Sequence, residues 1–221
     1  MISTELQDNH DVIERASIDD IVYKFIKRLF DFLSSLCLLI VISPIFIVIA
    51  IAIKIDTKGP VFFCHKRVGY KGRELKLLKF RTMVDNAEDQ ILDFNELERK
   101  EWLENFKLKD DPRITKVGKF LRKTSLDELP QLLNIIGGSM SVVGPRPITQ
   151  VEIDYHVKDQ EKYVSVKPGL IGYWACHGRS NVKYKKRVEL EMFYIDHASL
   201  WLDLKIMVKT VVSVFKQDGA V

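Results

Sequence analysis

Phe32–Ile53 is a run of 22 residues without a charged side chain. As one straight α-helix it would measure about 33 Å, enough to cross a hydrocarbon core of about 30 Å. It is not a secretory signal: it begins far from the N-terminus, follows an acidic leader and has no small-residue cleavage site behind it. Two features argue against a straight span. Ser43-Pro44 sits at the middle, where proline removes a backbone donor and clashes with the preceding turn, so a kink or break is expected. The two halves would be about 18 and 15 Å long, each reaching about halfway through the hydrocarbon. Both flanks are also basic, with Lys24, Lys27 and Arg28 before and Lys54, Lys58, Lys66 and Arg67 after, whereas a crossing helix usually has one basic side. That favours a re-entrant helix-break-helix using one leaflet, with the Ser43 hydroxyl serving a freed carbonyl. A kinked span stays open on these residues alone.

The chain of 221 residues is long enough for one domain with its own core. At 47% hydrophobic it is too apolar for a disordered protein. Cys37, Cys64 and Cys176 are far apart and form no CxxC, which excludes a disulfide scaffold or zinc module and fits a reducing compartment. Charge is strongly ordered along the chain. An acidic leader (1–22) precedes the membrane segment (23–56), and the remainder (57–221) opens with a basic stretch followed by an acidic one. In the basic stretch, Val61–Phe63 and Leu75–Phe80 read as two strands joined by a turn bearing Gly69 and Gly72. Lys76, Lys79 and Arg81 flank the second strand and suit an anionic ligand or lipid. No helix-turn-helix, zinc-finger or RNP pattern accompanies them, so nucleic acid is not expected as a partner. Residues 85–107 read as an acidic amphipathic helix carrying Leu92, Trp102, Leu103 and Phe106.

The chemistry concentrates between Asp111 and Pro147. Ile114–Lys123 reads as a short helix broken at Thr124-Ser125. Asp127–Ile136 reads as a second, with Ser125 and Glu128 in capping-box spacing and Pro130 tolerated only in the first turn. Asp127 and Glu128 then lie at a helix N-terminus, where plain capping would explain them. Their cationic company points further. Arg122 precedes them, Arg146 is stiffened by Pro145 and Pro147, and Arg179 follows the Gly-rich stretch from Lys167. Three guanidinium forks beside a carboxylate pair suit phosphoryl transfer, which depends on positioning and charge neutralisation. Adjacent Cys176 and His177 make no catalytic pair and read as packing or substrate-shaping residues. Ser199–Lys216 reads as a helix with Leu200, Leu204, Met207, Val208, Val211 and Phe215 on one face and Trp201 near its start. It suits either an interfacial helix or one that closes the core.

From Tyr23 to Gln217 the chain resembles the bacterial sugar transferases, the monotopic phosphoglycosyl transferase superfamily. The resemblance rests on KRLFDF before the apolar run, Ser43-Pro44 within it, KFRTM (79–83), DPRITKVGKFLRKTSLDELPQLLNII (111–136), GSMSVVGPRP (138–147), KPGLIGYW (167–174) and LWLDLKI (200–206). It implies an α+β, mainly helical monotopic membrane enzyme with a re-entrant helix broken at Ser43-Pro44, a small β-hairpin and interfacial amphipathic helices. The implied location is the bacterial cytoplasmic (inner) membrane, with residues 57–221 facing the cytoplasm. The length resembles the minimal catalytic form of the family. The implied reaction moves a sugar 1-phosphate from a UDP-sugar to undecaprenyl or another polyprenyl phosphate, releasing UMP, as the first membrane step of a surface glycan. Asp127 would be the nucleophile, forming an aspartyl phosphosugar. Asp127 and Glu128 would hold Mg²⁺ or Mn²⁺, and Glu128 would alternatively assist proton movement. Arg122, Arg146 and Arg179 would bind substrate phosphate, joined by Lys79 and Arg81. Membrane lipid is an implied partner, and a homodimer is left open. His65 replaces the usual first Gln of Gln-x-Arg-x-Gly, and Ala175-Cys176-His177 replace the usual residues after Trp174, so the sugar is not legible. The contrasting expectation is an inactive membrane-tethered scaffold of glycan assembly, whose mark would be a broken Asp-Glu pair or a lost arginine.

Overall fold

The computed structural model describes residues 2–85, 87, 90, 94–96, 99, 108, 111–177, 182 and 184–215, with side chains from Asp20 onward except at 211 and 213–215. Most of the acidic helix expected at 85–107 lies outside the described residues, as does Arg179.

Helix α1 spans Ile2–Asp56 and carries Pro44 inside it. The sequence predicts two helices separated at Ser43-Pro44; the structure has one continuous helix through that point. The reason is local. Position 44 has no N–H for the carbonyl of Ile40, and the Ser43 hydroxyl donates to that carbonyl instead, at 2.8 Å. Inward positions of α1 recur at helical spacing. Leu39 and Ile42 pack on a cluster of Leu75, Leu77, Leu132, Ile135 and Met140. Phe46, Ile49 and Ile53 pack with Phe80 and Leu121. The other faces present Ile40, Val41, Ile45, Ile47, Val48 and Ile51 outward. A contiguous apolar surface of this kind marks an interaction with another apolar phase.

The two strands expected in the basic stretch are present. β1 (Phe62–Val68) pairs antiparallel with β2 (Glu74–Phe80), with Phe62 opposite Phe80 and Val68 opposite Glu74. β1 runs five residues beyond the expected Phe63. A 3₁₀ turn over Tyr70–Gly72 joins them, where Lys71 and Gly72 take φ of 56° and 72°. Helix α2 (Lys116–Thr124) starts two residues later than expected, because the Thr115 side chain caps it by accepting the Gly118 N–H at 2.9 Å. Gly118 rests directly on the chain at residue 82: a Cβ there would stand 2.0 Å from the Thr82 carbonyl oxygen. Helix α3 covers Gln131–Ile136.

Unexpected from sequence is a second sheet, β3 (Ser141–Val143) parallel to β4 (Gly169–Ile171). Three-residue strands carry too little periodicity to be read. Gly144 and Gly169 let these chains touch, since a Cβ on Gly169 would meet the Gly144 nitrogen at 2.1 Å. Between the strands lie α4 (Gln150–His156) and α5 (Gln160–Tyr163). After β4 come a 3₁₀ segment (Tyr173–His177), α6 (Tyr184–Asp196) and α7 (Leu200–Phe215). The fold is thus α+β and mainly helical.

The apolar stripe expected on one face of α7 is divided between two. Ile206 is buried with Val143 and Tyr194, and Met207 packs beside them. Leu200, Trp201, Leu204 and Val208 are exposed. The buried Asp203 lies on the inward face with Ile206 and Met207. Val211 and Phe215 fall among the side chains not described. Cys176 packs on this helix, its Sγ 3.5 Å from the Ile206 carbonyl oxygen.

Charged residues on both sides of the apolar run of α1 fasten the helix to the rest of the chain. Before that run, Arg28 donates to the carbonyls of Ile135 and Ile136 at 2.6 and 2.7 Å, serving the open C-terminus of α3. Asp31 accepts the Val142 N–H at 2.9 Å. At its end, Asp56 accepts the Val117 N–H at 3.0 Å, at the N-terminus of α2. The short helices on either side of Ser125–Pro130 are therefore both terminated by α1.

Candidate active site

Asp127 and Glu128 lie in a 3₁₀ turn, Leu126–Glu128, between α2 and α3. This corrects the expectation of an α-helix beginning at Asp127 with a Ser125 capping box. Ser125 takes a left-handed conformation (φ 57°, ψ 17°) and its N–H returns to α2. It closes the preceding helix, and its side chain makes no capping bond. An N-cap needs an extended backbone, so one residue cannot do both. The α-helix resumes only after Pro130.

Strand β2 brings Lys79 to this turn. Its Nζ lies 2.7 Å from Glu128 Oε1 and 3.8 Å from Asp127 Oδ2. The two carboxyls respond oppositely to their surroundings. Burial pushes Asp127 above its ordinary range, against the pull of Lys79 and Arg122 and with help from the Glu128 charge. Burial also raises Glu128, but Lys79, Arg146 and Arg67 outweigh it and hold that carboxyl below its ordinary value. Glu128 thus keeps the charge facing the lysine. Asp127, 9% exposed, is the more basic and less exposed carboxylate of the pair.

Of the basic residues singled out by sequence, Lys79, Arg122 and Arg146 converge on this pair. Arg122 Nε donates to Thr82 Oγ1 at 2.9 Å, and its guanidinium feels the Asp127 and Asp111 carboxylates. Arg146 is fixed through its backbone: Tyr163 donates to its carbonyl at 3.0 Å, and its N–H donates to Glu191 Oε1 at 3.3 Å. Arg81 is placed elsewhere. Buried, it donates to the carbonyls of Thr57 and Lys58 and ties β2 to the segment following α1.

Sequence reasoning did not find the outer part of this basin. Arg67 pairs with Glu152 at 2.8 Å, and Glu152 is held by a capping box with Thr149. Arg187 stacks on Trp174 with its guanidinium carbon 4.0 Å from the ring centroid. Glu191, fully buried, is pushed up to about 8, mainly by burial. Arg67 belongs to the His65–Gly69 segment compared with the family pattern, but nothing in one sequence links it to Glu152 across 85 positions.

His65 sits beside Arg67, with 3.4 Å between ring Nδ1 and guanidinium. Burial, then Arg67 and Lys79, lower it from 6.5 to about 4. It is neutral at physiological pH, as a glutamine would be. Between pH 6.5 and about 4 the unfolded chain gains a proton that folded His65 refuses, so stability falls as pH drops through that window. Thermal unfolding of the protein and of His65→Gln should coincide near neutral pH and separate toward pH 4, the variant being the more stable.

The carboxylate pair also fits a divalent cation in donor chemistry. Mg²⁺ takes hard oxygens, commonly one or two carboxylates completed by water and substrate phosphates. Among the described residues no group of three or more His, Cys, Asp or Glu could complete a shell from protein alone.

Together these features define a class of protein: a carboxylate–lysine centre ringed by guanidinium groups, suspended beside one long, outward-facing apolar helix. The chain belongs to the bacterial sugar transferase family, which it matches over residues 22–217. It is 44% identical over 200 residues to an undecaprenyl-phosphate galactose phosphotransferase of Salmonella typhimurium, covering 89% of this chain and 42% of that protein. It is 42% identical over 210 residues to a UDP-glucose:undecaprenyl-phosphate glucose-1-phosphate transferase of Klebsiella pneumoniae, covering 88% and 41%. It is also 43% identical over 197 residues to the exopolysaccharide production protein ExoY of Sinorhizobium fredii, covering 88% and 87%. The chain thus spans less than half the length of the first two relatives and most of the third.

Proposed function

We propose that this protein is a phosphoglycosyl transferase. It moves a sugar 1-phosphate from a UDP-sugar to undecaprenyl phosphate and so begins a surface glycan. The observation that carries this reading is the buried Asp127 next to a charged Glu128, both within reach of Lys79. An Asp127 oxygen attacks the phosphorus that bears the sugar. A P–O bond forms, the bond to the bridging oxygen breaks, and UMP leaves with that oxygen. The acceptor's phosphate oxygen then attacks the same phosphorus, and the Asp127 carboxylate is released as polyprenyl diphosphate sugar forms. Neither step needs a net proton. Lys79, Arg122 and Arg146 orient the phosphates and neutralise charge developing between them. Asp127 and Glu128 would hold Mg²⁺, which supplies further neutralisation when bound. Arg179 is a further proposed phosphate contact.

We also propose that the protein is monotopic in the bacterial inner membrane and faces the cytoplasm, with α1 re-entrant around Pro44. Support comes from both flanks of the apolar run, since Arg28, Asp31 and Asp56 all bind the same folded unit. A helix leaving through the opposite leaflet would carry one flank away. The exposed apolar side chains of α1 and α7 give the lipid-facing surface. Residues 57–221 form the catalytic part of this reading, and 1–22 stand outside it.

A panel of UDP-sugars, incubated with Mg²⁺ and polyprenyl phosphate and scored by UMP release, should identify at least one donor. With donor alone, mass spectrometry should find a phosphosugar on residue 127. Normal turnover without that adduct would refute the covalent route. A cysteine reporter placed beyond Thr57 should stay unlabelled from outside intact cells; labelling there would rule out the re-entrant topology.

A further inference from the structure

We infer that Arg67, Arg146 and Arg187 form a subsite for the nucleoside monophosphate half of the donor, with Trp174 and Tyr184 holding the guanidinium groups in place. This rests on the phosphoglycosyl transferase reading and concerns where the leaving group sits. Arg187 lies 4.0 Å from the centroid of Trp174 and 5.6 Å from that of Tyr184, while Arg146 approaches Trp174 at 5.7 Å. Stacking fixes the plane of a guanidinium and leaves its N–H edge free to donate. The Nε atoms of Arg67 and Arg187 are both buried without a hydrogen-bond partner. Buried orphan donors are costly. Two of them in one basin are explained if their acceptor oxygens arrive with a ligand.

The charges lead the same way. Asp127 and Glu128 face Lys79 and Arg122, and Arg67 is answered by Glu152. Among the described residues neither Arg146 nor Arg187 makes an ion pair, although each is stacked and anchored. A phosphate monoester dianion such as UMP supplies those two charges through fork-shaped contacts. Glu191, buried beneath, keeps the Arg146 backbone against α6 through the Arg146 N–H. The basin adjoins the reacting carboxylates, because Arg146 and Arg67 both hold the Glu128 carboxyl down. It is built by the end of β1, the segment around Arg146, the 173–177 turn and α6. The apolar surface is concentrated on α1 and α7. A water-soluble nucleotide suits that side better than a polyprenyl headgroup.

The test uses the full chain in lipid nanodiscs, with UMP and uridine titrated separately and the KM for polyprenyl phosphate measured in parallel. Arg187→Gln should weaken UMP about tenfold or more and leave uridine competition unchanged. Arg187→Lys, which keeps charge and bulk, should fall between. If Arg187→Gln does not fold, the lysine variant alone carries the test, since loss of the fork should still weaken UMP and not uridine. A rise confined to the KM for polyprenyl phosphate would assign the basin to the acceptor and overturn the inference. Unchanged UMP affinity in the folded variants, with the unaltered protein turning over, would overturn the subsite alone. An unaltered protein that neither binds UMP nor turns over any donor would remove the functional reading and the subsite with it.

Discussion

Asp127→Asn should abolish UMP release, lowering turnover by about 10³-fold or more, while the protein still folds and still binds donor. Asparagine keeps nearly the same volume and can occupy the same turn. It loses the anionic oxygen that the proposed mechanism bonds to phosphorus. Glu128 is the nearest carboxylate, but its Oε1 is engaged by Lys79 at 2.7 Å and its charge is already stabilised. Removing a nucleophile commonly costs several orders of magnitude. The comparison that isolates the role is Glu128→Gln. That variant should slow the reaction yet still accumulate adduct on residue 127 with donor alone, whereas Asp127→Asn should accumulate none. Equal turnover of Asp127→Asn and the unaltered protein would exclude Asp127 as the attacking group.

Asp203→Ala should be the most damaging single change to stability, at about 3–5 kcal/mol. The Asp203 carboxylate is buried, 5% exposed. It accepts from Lys27 at 2.7 Å, from the Tyr194 hydroxyl at 2.7 Å and from the Tyr23 hydroxyl at 3.2 Å. These donors come from α1 and α6, so one side chain fastens three helices. Truncation leaves the Lys27 ammonium and the Tyr23 hydroxyl without this acceptor and the Tyr194 hydroxyl with only the Val143 carbonyl, at 3.3 Å. Replacing Lys27 by methionine and Asp203 by leucine together should recover much of the loss, because two matched apolar groups leave no orphan charge. Thermal unfolding in detergent would measure both variants. An Asp203→Ala protein as stable as its parent would show that the network contributes nothing net.

The sequence made the long-range logic of the molecule partly legible. The 22-residue apolar run, the hairpin and the Asp-Glu pair were readable because each is a local pattern of charge, period or turn residues. The second sheet was not, since β3 and β4 are three residues each and meet only where Gly144 and Gly169 allow contact. Ser125 misled for a physical reason: its spacing to Glu128 mimics a capping box, but its backbone closes the helix before it. Arg67 and Glu191 were illegible as site residues because their partners lie 85 and 45 positions away, and Arg187 because its stacking on Trp174 depends on how the chain folds between them. Arg81 shows the converse. Its neighbours in sequence suggested a ligand, and the folded chain uses it to hold its own carbonyls.

The turn that carries Asp127 hangs between two short helices, and α1 clasps the far end of neither by chance of packing alone: Asp56 holds one and Arg28 the other. The same rod whose outer side chains form the exposed apolar surface therefore also frames the turn that carries Asp127. On the proposed monotopic reading, bilayer thickness or curvature that flexed this rod near Pro44 would shift its two anchorage points relative to one another. Acyl-chain length would then be a mechanical input to the proposed chemistry.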